Sequence, residues 1–180
     1  TVWDESKFNP SLMIKNFSFI VLLVMFSAGI SRNAYAFEIS TTNLQGEENS
    51  IRVHLSQDTW TLVMAWTTYC GECAKQYSML SELHDAHKKI DLKVLGVSLD
   101  DPQNLQLIVD YQRKKKHQFP SIVADHTSFS SAYKTTTGAD FSGTPTYLLF
   151  DRQKEFQAYL DGPITRSAIE QFITQEDMNL

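Results

Sequence analysis

Residues 62–73 read LVMAWTTYCGEC, a short apolar run that leads into two cysteines separated by two residues. Cys70 and Cys73 are the only cysteines of the chain, and apolar residues at helical spacing follow them. The i, i+3 spacing on a first helical turn brings two cysteines within bridging range, and the partial positive charge of a helix N-terminus favours a thiolate. The stretch therefore predicts a buried strand, a redox-active cysteine pair and a helix.

The residues downstream of the pair predict a βαβ unit. Apolar side chains recur at helical spacing after Cys73, and residues 92–99 return to a strand pattern. Because a crossover helix joins them, the strands at residues 62–67 and 92–99 should be parallel. The stripe of the helix that should face the core consists of Met79, Leu80, Leu83, Ala86 and Ile90.

The rest of the apolar pattern completes one α/β domain with a mixed central sheet. Strands are predicted at residues 51–55, 122–123, 146–150 and 155–160, and helices at residues 102–116 and 165–174. The last two strands should form an antiparallel hairpin. The core-facing residues of the two helices should be Leu105, Ile108 and Val109 in the first and Ala168, Ile169, Phe172 and Ile173 in the second.

The first 36 residues are expected to lie outside the fold. Residues 13–16, Met-Ile-Lys-Asn, read as an initiator with a short basic region, and an uncharged apolar stretch follows. Ala34-Tyr35-Ala36 then matches the small-x-small pattern of a cleavage site. We expect residues 13–36 to be a secretory signal peptide or, alternatively, an uncleaved N-terminal membrane anchor. Residues 1–12 should be an upstream extension that is not part of the fold.

The remaining chain is long enough for one domain with a core. Residues 37–50 read as a polar lead-in segment, and residues 51–180 as the domain. The formal net charge of −5 gives no footprint for nucleic acid. An exported chain meets an oxidising compartment, so its cysteine pair needs a dedicated electron donor or acceptor.

Three features resemble the thioredoxin fold, and specifically the TlpA/ResA/DsbE group of exported or membrane-tethered thiol–disulfide oxidoreductases. Residues 66–73 resemble the active-site segment Trp-x-x-Trp-Cys-Gly-Pro-Cys, and residues 143–146 resemble the loop that carries the family's cis-proline. The helical segment at residues 102–116 resembles the insertion that marks the group. The resemblance extends over residues 51–174 and implies a thioredoxin-like fold, with a mixed central β-sheet flanked by helices.

The resemblance also implies roles for individual residues. Cys70 should be the attacking thiol at the exposed start of the helix, and Cys73 the more buried thiol that resolves the mixed disulfide. The substrate peptide should contact Thr144 and Pro145 of the proline loop and Tyr69 and Gly71 of the cysteine motif. Trp66, Glu72 and Gln76 should form the environment of the pair.

Three positions depart from the family pattern. Tyr69 stands where tryptophan is usual, and Glu72 stands where proline is usual. A carboxylate at Glu72 disfavours a neighbouring thiolate but interacts well with the helix N-terminus, so the direction of its effect on the reduction potential stays open. Gln76 stands where members that serve cytochrome c maturation carry glutamate, which weakens the transfer of that role.

The resemblance implies exchange between the dithiol or disulfide and protein substrates, without a bound cofactor. It favours an extracytoplasmic or periplasmic reductant that a membrane thiol–disulfide partner supplies with electrons. A disulfide oxidant or isomerase is the close alternative. A soft-metal (copper) chaperone that uses both thiolates, an inactive interaction module and a structural disulfide are the others.

No metal site is predicted. Cys70, Cys73, His84 and His87 loosely mimic a zinc-ligand set, but a single helix would place Cys73 and His84 about 16 Å apart. His54, His117 and His126 show no ligand spacing either. The basic run at residues 113–116 is expected to be a solvated helix end, with docking to an acidic partner or anionic lipid as the alternative.

Overall fold

This computed structural model describes residues 37–86 and 91–178. The predicted signal peptide or anchor, the residues before it, His87 and Ile90 lie outside the described residues. The strands are β1 (Ser40–Asn43), β2 (Glu48–Ser50), β3 (Trp60–Trp66), β4 (Leu92–Ser98), β5 (Ser121–Ala124), β6 (Thr146–Phe150) and β7 (Phe156–Asp161). The α-helices are α1 (Gly71–Asp85), α2 (Leu105–Lys115), α3 (His126–Thr137) and α4 (Arg166–Met178).

The strands form one mixed sheet in the order β2-β1-β5-β4-β3-β6-β7. β3 and β4 pair in parallel across the α1 crossover, and β4 and β5 are also parallel. β6 runs antiparallel to β3 and forms a hairpin with β7. The predicted parallel βαβ unit, the antiparallel hairpin and the mixed α/β class are therefore confirmed.

The central strand β3 is buried along its whole length because both faces of the sheet are covered. Leu62, Met64 and Trp66 face a core that α1, α2 and α4 close. Val63 and Ala65 face a second core that α3 and the start of the described chain close. This double burial explains the continuous apolar run in the sequence. None of the helices in the described ranges is long and apolar enough to cross a membrane.

The predicted helical stripes are largely confirmed. In α1, Leu80 and Leu83 are fully buried, whereas Met79 and Ala86 are half-buried. α2 follows a short 3-10 turn at Pro102–Asn104 and buries Ile108 completely. α4 buries the predicted Ile169 and Ile173 and continues to Met178, four residues beyond the predicted end.

The strand predicted at residues 51–55 is wrong, because Ile51–Val53 forms a 3-10 turn. The Ser50 hydroxyl caps this turn by accepting a hydrogen bond from the Arg52 N–H at 3.1 Å. Ile51 and Leu55 are buried and Val53 is 63% exposed. Two buried residues four positions apart fit one helical turn as well as they fit a strand, so the alternation was ambiguous.

The polar segment at residues 37–50 contributes the strands β1 and β2 to the sheet. β1 pairs with β5 on one side and with β2 on the other. The Asn43 side chain closes the β1–β2 turn by accepting hydrogen bonds from the N–H groups of Gln45 and Glu47, at 3.0 and 2.9 Å. The sequence pattern did not predict these strands, because they carry mostly polar side chains.

Helix α3 was also not predicted. The Asp125 side chain caps it by accepting a hydrogen bond from the Ser128 N–H at 2.8 Å, and Gly138 ends it in the left-handed conformation. Phe129 and Tyr133 face the core. The cap, the i, i+4 aromatic pair and the glycine were available signals. The many serines and threonines between them have low helix propensity and obscured the pattern.

Candidate active site

Cys70 and Cys73 form a disulfide at the N-terminus of α1, with their Cα atoms 5.3 Å apart. Cys70 is the N-cap residue, and its sulfur accepts a hydrogen bond from the Cys73 N–H at 3.1 Å. When the disulfide opens, the same N–H and the helix N-terminus are placed to stabilise a thiolate on Cys70. The strand, cysteine pair and helix predicted from residues 62–73 are therefore present in that order.

The two cysteines differ in exposure. Cys70 is 9% exposed and Cys73 is fully buried. Cys70 is thus less open than the exposed position that the sequence predicts, because it caps a helix whose first turn packs against the core. It is nevertheless the member of the pair that reaches the surface.

A carboxylate holds the turn that carries Cys70. Asp100, just after β4, accepts hydrogen bonds from the Thr68 N–H at 3.0 Å and from the Thr68 hydroxyl at 2.8 Å. The Ser98 hydroxyl donates a further hydrogen bond to Asp100 at 2.7 Å. Asp100 is not among the residues that the sequence pattern indicates. Its signal was a Ser-x-Asp pattern at the carboxyl end of a buried strand.

The proline loop lies at the same end of the sheet as the cysteines. The Thr144–Pro145 peptide bond is cis, and Thr146 stands opposite Ala65 in the register of β3 and β6. That register places the loop beside the carboxyl end of β3, where the turn to Cys70 begins. Thr144 is half-buried and Pro145 is buried.

Several contacts fix the proline loop. Gly143 has φ +133°, a conformation that favours glycine. The Thr146 hydroxyl lies 2.5 Å from the Gly143 carbonyl oxygen and 3.0 Å from Asp161 Oδ1, so its one proton serves either acceptor. The Tyr133 hydroxyl also donates to Asp161, at 3.0 Å, which connects α3 to the loop. Pro145 offers its carbonyl to the Gly162 N–H at 2.8 Å.

The other predicted contact residues are exposed beside the pair. The Tyr69 side chain is 80% exposed, and Gly71 and Glu72 are exposed on the first turn of α1. Glu72 forms a salt bridge of 2.6 Å with Lys75, and both side chains are mostly in solvent. Such a pair contributes little to stability.

Gln76 is half-buried and connects three elements. Its Oε1 accepts a hydrogen bond from the Ile164 N–H at 3.2 Å and a longer one from the Tyr147 hydroxyl at 3.4 Å. The side chain thus joins α1 to β6 and to the segment before α4. An amide at this position has a structural use that needs no charge.

Trp66 lies in the same core cluster as the disulfide, within a group of aromatic rings. Its ring centroid is 4.9 Å from His117, 5.9 Å from Tyr77 and 6.0 Å from Tyr111. Burial lowers the pKa of His117 to about 3. Burial also raises the pKa of Tyr77, with the neighbouring Tyr111 as the next cause. Both side chains are therefore neutral at physiological pH.

Two histidines of the described residues make hydrogen bonds within the fold. His84 Nδ1 accepts a hydrogen bond from the Val94 N–H at 3.2 Å. His117 Nε2 lies 3.1 Å from the Ser121 hydroxyl. Within residues 37–86 and 91–178, no group of three or more His, Cys, Asp or Glu side chains could hold a metal ion.

Comparisons with known proteins give one consistent relationship. The AhpC/TSA family matches residues 30–158. The chain is 25% identical over 130 residues to sporulation thiol-disulfide oxidoreductase A of Bacillus subtilis, a match that spans 72% of this chain and 73% of that protein. It is 21% identical over 132 residues to thiol-disulfide oxidoreductase ResA of Geobacillus kaustophilus, spanning 73% and 70%.

Solved structures share the fold. The thioredoxin domain of a Bacteroides vulgatus thiol-disulfide oxidoreductase superposes with a TM-score of 0.60 at 20% identity, covering 77% of this chain and 94% of that one. StoA from Bacillus subtilis superposes with a TM-score of 0.56 at 23% identity, covering 78% and 98%. The thioredoxin-like fold and the resemblance to the ResA group are thus confirmed. Because the family match spans well over half of the sequence, this chain belongs to the AhpC/TSA family.

Proposed function

We propose that this thiol–disulfide oxidoreductase reduces disulfides of protein substrates outside the cytoplasm, with Cys70 as the attacking thiol. The observation that carries the proposal is the asymmetry of the pair. Cys70 caps a helix N-terminus and reaches the surface, whereas Cys73 is fully buried one turn further on. A visiting disulfide has access to the first sulfur and not to the second.

The reaction balances without a cofactor. The Cys70 thiolate attacks one sulfur of the substrate disulfide, and the other substrate sulfur leaves as a thiolate and takes up a proton. Cys73 then loses its proton and attacks the Cys70 sulfur, which releases the second substrate thiol. The substrate gains two electrons and two protons, and the enzyme is left with the Cys70–Cys73 disulfide. A membrane thiol–disulfide partner would return the pair to the dithiol.

The substrate peptide would lie across the surface that joins the two halves of the site. Tyr69 and Gly71 are exposed next to Cys70, and residues 143–146 lie beside the same end of β3. The substrate peptide would contact four residues there: Tyr69, Gly71, Thr144 and Pro145. Trp66, Glu72 and Gln76 would shape the environment of the pair.

Two parts of the proposal, the location of the protein outside the cytoplasm and the direction of electron flow, are supported by the sequence and by the family resemblance. The pattern of residues 13–36 supports export or membrane tethering. Residues 1–12 would precede the exported chain. Residues 51–180 would form the domain together with residues 37–50, which contribute β1 and β2 to its sheet. The group that the chain resembles favours a reductant, and an oxidant or isomerase would use the same two sulfurs.

An insulin-reduction assay tests the activity. Cys70→Ser should abolish the turbidity that wild type produces, because no thiol can then attack the substrate. A folded Cys70→Ser variant with wild-type activity would exclude Cys70 as the attacking thiol. Cys73→Ser is the matched thiol deletion and should not complete turnover, because the mixed disulfide cannot be resolved from within the protein.

The direction of electron flow needs a separate measurement. Equilibration with glutathione gives the reduction potential of the pair. A reduction potential of about −270 mV, as in thioredoxin, supports a reductant. A reduction potential of about −120 mV would instead identify an oxidant.

A further inference from the structure

Asp100 lies just after β4 and contacts Thr68, in the turn before Cys70, through both the backbone and the side chain of Thr68. Its carboxylate receives the Thr68 N–H at 3.0 Å, the Thr68 hydroxyl at 2.8 Å and the Ser98 hydroxyl at 2.7 Å. The Ser98 oxygen in return accepts the Asp100 N–H at 3.2 Å. Three of these hydrogen bonds hold the carboxylate to Thr68 and Ser98, and the fourth joins the Asp100 backbone to Ser98.

This position is close to the reacting sulfur. The Cys70 N–H donates to the Thr67 carbonyl at 3.2 Å and closes a turn over residues 67–70. The Leu99 N–H donates to the Trp66 carbonyl at 2.9 Å, which holds the end of β4 against the start of the turn. A carboxylate bound at the second residue of so tight a turn lies on the order of 10 Å from the fourth residue.

In the part of the chain that the structure describes, no cation pairs with the Asp100 carboxylate, because no lysine or arginine lies within salt-bridge distance of it. All its hydrogen-bond donors are neutral groups. Asp100 is half-buried, and its charge is one of the causes that raise the pKa of Tyr77 on α1, after burial and Tyr111. The negative charge therefore acts on the aromatic side chains around Trp66.

The other carboxylates near the pair are in a different situation. Glu72 lies on the first turn of α1 but is exposed and paired with Lys75. Asp101 is exposed, and its side chain accepts a hydrogen bond from the Gln103 N–H at 2.9 Å in the turn before α2. Asp101 is the neighbour of Asp100 in sequence and carries the same charge, so it provides a matched control.

We propose that Asp100 is a positioning residue for thiol–disulfide exchange: its hydrogen bonds hold the Thr67–Cys70 turn, and its negative charge restrains formation of the Cys70 thiolate. The charge opposes the helix N-terminus, which favours the thiolate. The balance between the two sets the fraction of Cys70 that can attack at a given pH. This inference rests on the proposed function, in which Cys70 attacks.

The test measures how fast the reduced protein reacts with iodoacetamide, a neutral reagent, across a range of pH. Asp100→Asn keeps the shape of the side chain and removes its charge. We expect its alkylation profile to move to lower pH, with a rate about twofold to fifteenfold higher on the acid side. This is the range that a unit charge at about 10 Å gives for dielectric constants between about 80 and about 20. Asp101→Asn should reproduce the wild-type profile.

A second variant separates charge from geometry. Ser98→Ala removes one donor to Asp100 and leaves the charge, so its profile should coincide with that of wild type. If Asp100→Asn matches wild type, or if Ser98→Ala shifts the profile as far as Asp100→Asn does, the electrostatic role is refuted. Should Asp100→Asn fail to fold, Asp100→Ser takes its place, because it is neutral and keeps a hydrogen-bonding oxygen one bond closer to the backbone.

Mass spectrometry of the alkylated wild-type protein tests the assignment of Cys70 as the attacking thiol separately from the role of Asp100. Modification of Cys70 first is the expected result. Modification of Cys73 first would overturn the assignment of the attacking thiol, whatever the Asp100 variants show. Modification of Cys70 with identical profiles for Asp100→Asn and Asp101→Asn would overturn only the role of Asp100.

Discussion

The two ends of β3 each carry a buried tryptophan, and the two indole N–H groups have different surroundings. Trp60 begins the strand and donates its N–H to Asp177 Oδ1 at 3.2 Å. Trp66 ends the strand, and its N–H has no hydrogen-bond partner in the described part of the chain. Ionic contacts stabilise the Trp60 end, whereas the Trp66 end lies beside the disulfide.

Arg152 organises the Trp60 end. Its guanidinium makes a bidentate contact with Asp177, at 2.7 and 2.9 Å, and a further hydrogen bond to Asp91 at 2.6 Å. It also lies 5.9 Å from the centroid of the Trp60 ring. The hydrogen bond from Arg152 holds the pKa of Asp177 below its ordinary value. These contacts join the β6–β7 turn, the start of β4 and the end of α4.

The Trp66 end is densely packed but its polar groups are less well satisfied. Trp66 Nε1 and His117 Nδ1 are buried without hydrogen-bond partners among the described residues. Unpaired buried polar groups lower stability, and native proteins keep few of them. The difference shows that polar contacts stabilise the Trp60 end of the sheet. The Trp66 end, which carries the cysteines, depends on aromatic packing and on the hydrogen bonds between Asp100 and the Thr67–Cys70 turn.

The largest effect is expected from a methyl group placed against Trp66. A Cβ at Gly96 would collide with the Ser121 hydroxyl and lie 2.9 Å from Trp66 Nε1. Gly96→Ala should therefore lower the free energy of unfolding by about 1–3 kcal/mol, measured by urea denaturation. Gly71→Ala is the control, because among the described residues no atom outside its chain neighbours and its own helix backbone lies within 4 Å of the added Cβ. Equal stability of both variants would show that the Trp66 end is loosely packed.

The next effect concerns acid. Burial lowers the folded pKa of His117 from 6.5 to about 3, so the unfolded chain binds a proton that the folded chain does not. Stability contributed by neutral His117 is full above pH 6.5 and is lost as the pH falls towards 3. From pH 7 to pH 5 the loss should be about 2 kcal/mol. His117→Gln removes this titration, and its unfolding free energy should fall by less over the same interval.

A smaller effect is expected at the Trp60 end. Arg152→Ala should lower the free energy of unfolding by about 1–2 kcal/mol, because it removes charge-assisted hydrogen bonds to partly exposed carboxylates. Insulin reduction per folded molecule should not change, since this end is remote from the cysteines in the sheet. Arg113→Ala, at a mostly exposed salt bridge, is the control and should be near neutral. A loss of activity in folded Arg152→Ala would remove the distinction between the two ends.

Acid should also weaken the Arg152 contacts, but over a different range. The folded pKa of Asp177 is lowered from 3.8, so its contribution is full above that pH and is lost as the pH falls below it. The difference in stability between wild type and Arg152→Ala should thus be constant between pH 7 and pH 5 and shrink below pH 4. A difference that already shrinks at pH 6 would contradict this assignment.

The parts predicted from the sequence are those with strong local signals. The apolar run before Cys70 specifies a strand covered on both faces, and the cysteine spacing with the helical pattern that follows specifies the start of α1. Residues 143–146 were recognised by their resemblance to a known loop. Each of these signals lies within a few consecutive residues.

The parts that were missed depend on distant partners. Asp100 acts through Thr68, 32 residues away, so no local pattern reveals it. Strand β1 is polar and is recognisable only through its pairing with β5. Gln76 departs from a family pattern, and its use became visible only through its contacts with Ile164 and Tyr147. Tertiary contacts, rather than propensity, decide these positions.

Trapping of the mixed disulfide distinguishes whether Cys70 or Cys73 attacks the substrate. The reduced Cys73→Ser variant is mixed with a disulfide-bonded protein substrate, and the adduct is digested and sequenced by mass spectrometry. We expect a stable mixed disulfide through Cys70, and no such adduct when Cys70→Ser is used instead. An adduct formed through Cys73 in the Cys70→Ser variant, with none through Cys70 in the Cys73→Ser variant, would contradict it.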